Sequence, residues 1–155
     1  MIVQLDREIF DSLPINAVGH ACFEPMVPVY QGAMRSNSSQ NPHDVRAKFY
    51  QSLSQGQQAL FMFFTYYDHA IRSKDEFQRI SSHYLSAHIF DAVKKGVRYF
   101  DDSEMFNFLT NVEQVVLSDD DLDELYSRLS EIAPQTLMKI GAFIKENPSE
   151  FIIFV

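Results

Sequence analysis

Apolar positions along the chain recur at helical spacing, and they are densest between Ser54 and Ile71, SQGQQALFMFFTYYDHAI. Ala59, Leu60, Phe61, Met62, Phe63, Phe64, Tyr66 and Tyr67 cover every direction around a 3.6-residue period, the pattern of a helix enclosed on all sides. Ser54 and Gln57 have capping-box spacing, so the helix is predicted to start there. A membrane span needs about 20 apolar residues, and polar Gln57, Gln58, Asp68 and His69 bracket this shorter run. The aromatics are therefore read as packing rather than as a cofactor site.

The other segments are read around this central helix. Leu5, Ile9, Phe10 and Leu13 predict a short amphipathic helix over 6–13, ended by Pro14. Over 15–40, Gly19, Pro25, Pro28, Gly32 and the polar run Ser36 to Gln40 predict a long irregular loop or arm. Its Val18, Phe23, Met26, Val27, Val29 and Tyr30 lay that arm over the core. Asn41, Pro42 and Asp44 start a helix that runs to about Leu53, with Val45, Phe49 and Leu53 as its buried stripe. Ser73 with Glu76 repeats the capping-box spacing, and Phe77, Ile80, Tyr84, Leu85 and Ile89 follow on one side. They predict one long helix, or two joined near His88, with Gly96 as the stop after Lys94 and Lys95. Asp101, Asp102 and Ser103 open a helix that buries Met105, Phe106, Leu109, Val112 and Val116. Ser118 to Asp121 open the next, with Leu122, Leu125, Leu129 and Ile132 inward, and Ala133-Pro134 separates it from a last helix carrying Leu137, Ile140 and Ile144. The apolar tail Phe151 to Val155 is an added strand, a core plug or a contact to a second subunit. The expected architecture is all-α, a single domain over 1–155 with about six or seven helices.

Composition adds little until charge is placed along the chain. The 155 residues are 46% hydrophobic and 22% charged, with 14 Phe, 7 Tyr and no Trp. The N-terminal MIVQLDREIFDSL interleaves acids with apolar residues and does not read as a signal peptide. With Cys22 the lone cysteine, a reducing cytoplasm is the expected location. The formal charge of −8 divides unevenly: 101–131 holds ten acids and one base, Arg128, giving −9, and the remainder holds 11 acids and 12 bases, giving +1. Such a segment disfavours direct nucleic-acid binding, which needs concentrated Lys and Arg. It suits a cationic partner, or simply solvates and caps exposed helices.

Candidate chemistry is sparse. His69, His83 and His88, with Asp68 and Asp91, offer metal-ligand types. Only His88 and Asp91 have the spacing of neighbours on one helix face, so a metal-dependent enzyme or metal-binding bundle on His69, His83, His88 and Asp91 is the alternative reading. Cys22 lies two residues from His20 in GHACFEP, and a thiol activated by imidazole is weighed there too. No phosphate loop, dinucleotide fingerprint or Gly-x-Ser-x-Gly elbow is present, DDSEMFNFLTNVE lacks a calcium-loop pattern, and no cofactor is expected.

Leu53-Ser54-Gln55-Gly56-Gln57-Gln58-Ala59-Leu60, Leu122-Asp123-Glu124-Leu125-Tyr126 and Phe143 to Phe151 (FIKENPSEF) resemble a bacterial family of small helical proteins that includes an acidic DNA mimic. The stretches resemble the opening of that family's main helix and its closing helices. The family's Asn-Gly-Gly-Phe-type segment stands here as Asp68 to Phe77, DHAIRSKDEF, without the glycines. The resemblance implies a helical fold and points towards DNA mimicry. The preferred reading is a non-enzymatic interaction or regulatory protein whose Asp119, Asp120, Asp121, Asp123 and Glu124 meet a basic protein, such as a DNA-binding one. No membrane partner is expected, and a homodimer through the tail or the Phe23 to Tyr30 arm is the expected assembly.

Overall fold

A computed structural model describes residues 2–155. The order is β1 (Gln4–Leu5), α1 (Arg7–Ser12), α2 (Ile15–Phe23), α3 (Met26–Ser36), α4 (Pro42–Gln51), α5 (Gln55–Ala70) and α6 (Lys74–Ser86). There follow α7 (Phe90–Tyr99), α8 (Ser103–Ser118), α9 (Asp123–Glu146), a 3-10 turn (Pro148–Glu150) and β2 (Ile153–Phe154). The fold is all-helical as its apolar spacing predicts, with nine α-helices among the described residues rather than six or seven. None of them is long and apolar enough to cross a membrane.

Helix α5 is the enclosed element. Leu60, Phe63, Phe64, Tyr66 and Ala70 are buried on all sides of it, against α2, α6 and α7. The hydroxyl of Tyr66, alone among these side chains in being polar, is 2.7 Å from Ser81 Oγ of α6, so the interior leaves no orphaned polar group there. The capping box forms in full: Ser54 Oγ accepts from the Gln57 amide, and Gln57 Oε1 accepts from the Ser54 amide, each at 3.1 Å. At α6 only half of the predicted box forms, because Ser73 Oγ accepts from the Glu76 amide while the Glu76 carboxylate turns to Arg79.

The predicted irregular arm over 15–40 is helical from Ile15 to Ser36 apart from a break at 24–25, and irregular only over 37–41. Its prolines stand at helix starts. Pro14 and Pro25 are the N-caps of α2 and α3, and Pro28 lies in the first turn of α3, where an amide would have no helical acceptor. The break predicted at Ala133-Pro134 is likewise absent, for α9 passes through Pro134. Buried Leu129, Ile132, Thr136, Ile140 and Ile144 lie on both sides of it, and their packing outweighs one lost hydrogen bond.

The helix ends explain a third difference. Two helices do meet at His88, but α7 continues through Gly96 to Tyr99. His88, Asp101 and Asp119 take left-handed φ values of 58°, 56° and 58°. At each, the next residue's amide reaches back five positions, Ile89 to Tyr84, Asp102 to Val97 and Asp120 to Val115, at 3.0–3.1 Å. These are Schellman closures of α6, α7 and α8 built without glycine. Glycine serves instead where backbones touch. A Cβ at Gly96 would stand 2.8 Å from the Ala59 carbonyl oxygen of α5, and one at Gly141 of α9 would stand 1.8 Å from the Ile15 carbonyl oxygen of α2.

The C-terminus is held by the start of α5. Ser54 Oγ donates to the Glu150 carbonyl, Gln57 Nε2 donates to the Phe151 carbonyl at 2.9 Å, and the Phe151 ring covers Gly56. Phe151 stacks on Phe100 at 6.0 Å and meets Phe143 edge-on at 6.1 Å. The tail is thus both plug and strand: Phe151 and Ile152 are buried, and β2 pairs in parallel with β1, Gln4 opposite Ile153 and Leu5 opposite Phe154.

The contrast between packing glycines and left-handed caps is measurable by thermal or denaturant unfolding. Gly141→Ala is expected to lose about 3 kcal/mol, and Gly96→Ala somewhat less, because backbone on the facing helix cannot rotate away. His88→Gly is expected to gain about 0.5–1 kcal/mol by relieving a left-handed side-chain residue. A neutral Gly141→Ala would show that α2 and α9 are not in close backbone contact.

Candidate functional site

The five predicted partner-binding acids gather at the turn from α8 to α9. Asp119 closes α8 in the left-handed conformation, and Ser118 Oγ donates to Asp120 Oδ2 at 2.8 Å. Asp121 Oδ1 accepts the Asp123 amide at 3.0 Å, opening α9, while buried Leu122 pins the turn to the core. Asp119, Asp120, Asp121, Asp123 and Glu124 are all exposed. Among the described residues the cation paired with them is Lys74, 3.6 Å from Asp123 Oδ2, and both partners are more than half exposed. A pair so placed contributes about 0–1 kcal/mol, so the turn keeps most of its negative field. Leu117, two residues before Asp119, is 70% exposed.

Not every acid of the segment belongs to this surface. Asp102 is 2% exposed and accepts from the Met105 amide at 3.1 Å and from Thr136 Oγ1 at 2.6 Å, with Lys139 Nζ at 3.5 Å. It caps α8 and ties it to α9 from inside. Glu113 faces Lys94 at 3.9 Å. The exposed field is therefore narrower than the −9 of the sequence segment, and the α8–α9 turn is its densest part.

The metal-ligand candidates lie apart from such a core site. His69 is near the end of α5, His83 on α6, His88 in the α6–α7 turn and Asp91 in the first turn of α7, and all four are exposed rather than interior. No group of three or more His, Cys, Asp or Glu among the described residues is arranged to hold a metal ion. The turn at His88 separates it from Asp91, which removes the helical i, i+3 relation on which the pairing rested.

His20 and Cys22 do not meet either. Residues two apart on a helix point about 200° from one another, and Cys22 is fully buried while His20 is exposed. Burial pushes the Cys22 thiol up to about 12, against a smaller opposing pull from the Lys145 charge, so it is no nucleophile. His20 instead has its Nε2 3.1 Å from Asp68 Oδ2 of α5, with its ring edge-on to Phe64 at 5.4 Å. The pair borders an open cleft of about 610 Å³ that also takes in Phe23, Glu24, Val27 and Pro28. The sequence gives no sign of it, since its partners are 48 positions apart. It can orient an imidazole, but no hydroxyl or thiol nucleophile lines the same cleft, and its visible work is joining α2 to α5.

The thiol assignment is checked by mass spectrometry after iodoacetamide treatment at about pH 8. Native protein is expected to stay unlabelled for as long as it takes a sample in guanidinium to label fully. Comparable rates in the two samples would mean that Cys22 is accessible and ionised.

Two of the three stretches that carry the family resemblance meet in space, since the Ser54 to Gln57 box grips Glu150 and Phe151, and what they hold together there is the fold. Comparison with family models, with curated proteins and with solved structures gives no match.

Proposed function

We propose that the protein is a non-enzymatic interaction module whose α8–α9 turn engages a basic protein. The carrying observation is the set of five exposed carboxylates, Asp119, Asp120, Asp121, Asp123 and Glu124, with Lys74 the one cation paired with them among the described residues. In water such charges act mainly by steering a cationic partner and fixing its orientation, over a screening length of about 8–10 Å at ordinary salt. Leu117 adjoins them, which suits a partner whose basic residues surround an apolar one. A DNA-binding protein has the required charge, and the resemblance to a family with a DNA mimic favours that class. The cleanest test pairs the wild type with a variant carrying the five amides (Asp→Asn, Glu→Gln). At low salt the wild type is expected to retain a basic protein that double-stranded DNA displaces, and the variant to bind it at least about tenfold more weakly. Equal retention by both proteins sinks the proposal.

We further propose a homodimer, carried by what the fold leaves uncovered at the tail. Ile153 of β2 is 45% exposed, and Val155, just beyond the strand, is 70% exposed. Because Phe151 and Ile152 are core residues, deleting the whole tail would test folding instead of assembly. The double variant Ile153→Ser, Val155→Ser keeps the plug. Light scattering is expected to give a dimer for wild type and a monomer for the variant, and a monomeric wild type at high concentration refutes the assembly.

A further inference from the structure

A second cleft, of about 520 Å³, lies where the start of α2, the end of α5 and the middle of α9 meet, in the size range of small-molecule sites. Its walls include Asn16, Tyr67, Ile71, Ser130, Pro134 and Leu137. Proline in a helix interior has no amide to give the carbonyl four residues back, so the Ser130 carbonyl lacks its helical donor. Ser130 and Pro134 both line the cleft, so the residue whose carbonyl is freed and the proline that frees it belong to the same wall. The Asn16 amide and the Tyr67 and Ser130 hydroxyls add neutral donors and acceptors, and no charged side chain lines the space. Tyr67 is a rigid wall, stacked on Phe63 at 5.3 Å with an 11° interplanar angle. Burial, aided by the Asp68 charge, raises its hydroxyl above the ordinary value.

We infer that this cleft binds an uncharged, flat, mostly apolar small molecule with one N–H donor, accepted by the Ser130 carbonyl. No charged side chain in the lining offsets the lost hydration of an ionic ligand, and a purely apolar ligand would leave the carbonyl unpaired. Pro134 then has a use: an alanine at that position would close the helical bond and occupy the acceptor.

The probes are indole and 1-methylindole, which differ in that N–H, titrated into the full-length ¹⁵N-labelled protein. Indole is expected to shift the amides of Ser130, Ala133, Leu137 and Tyr67 saturably, and 1-methylindole to bind about fivefold more weakly, the worth of one net hydrogen bond. In Pro134→Ala, whose helix is more regular and whose folding circular dichroism verifies, the two probes are expected to bind alike. Three results would each overturn the inference: no saturable shift up to about 10 mM indole, equal binding of the two probes to wild type, or shifts centred outside the cleft.

Discussion

Enclosing α5 requires neighbouring backbones to approach closer than a side chain at the contact would allow, and the rest of the packing follows from that requirement. Gly96 lets α7 rest against the Ala59 carbonyl, Gly19 lets α2 meet the Phe64 ring, and Gly56 lets Phe151 lie on α5 itself. Gly141 extends the same device to α2 and α9. With four of five glycines committed to these contacts, and no glycine at positive φ, the left-handed helix ends fall to His88, Asp101 and Asp119. Aspartate tolerates that conformation better than most residues, because its short side chain bonds locally. Acid content in the 101–121 region therefore has a backbone cause as well as an electrostatic one.

This division of labour decides what was legible in the sequence. Helices announced by a side-chain cap and a clear stripe were found where expected: α4 behind Asn41, α5 behind Ser54 and α8 behind Asp102. The failures came from reading Gly and Pro by their commonest meaning. Gly96 looks like a stop because Lys94 and Lys95 precede it, yet a stop and a packing contact both favour the smallest residue, and one sequence does not separate them. The prolines of the supposed arm mark the start of α3 and interrupt no helix from within, since a helix start lacks acceptors for its first amides. Pro134 is the harder case, where only the burial of residues on both sides tells that α9 continues.

The site was legible to a different degree. Five acids within six residues, interrupted by Leu122 alone, placed themselves at a turn by local rules, and local rules suffice there because the turn is on the surface. Asp102, adjacent to exposed Asp101, is interior because Thr136 and Lys139 arrive from another helix, a relation that no periodicity in the 101–131 segment encodes. The His20 to Asp68 pair and the cleft beside Pro134 are long-range for the same reason. Each joins α2 to a helix far along the chain, so each was invisible until the supposed loop proved to be a helix.

The buried Asp102 also bears on how the acidic turn can act. A carboxylate away from water is stable only while its acceptor positions are filled, and here Met105, Thr136 and Lys139 fill them from two helices. That fixes the start of α8 against α9. Over its 16 residues the helix carries this constraint about 24 Å to the other end, where the Schellman bonds and buried Leu122 fix the exit. The five surface carboxylates thus stand on a turn held at both sides, and their mutual repulsion is borne by the scaffold. Binding to a backbone already held in place costs less entropy than binding that must first order it, so the buried Asp102 contributes to the pre-organisation of this turn.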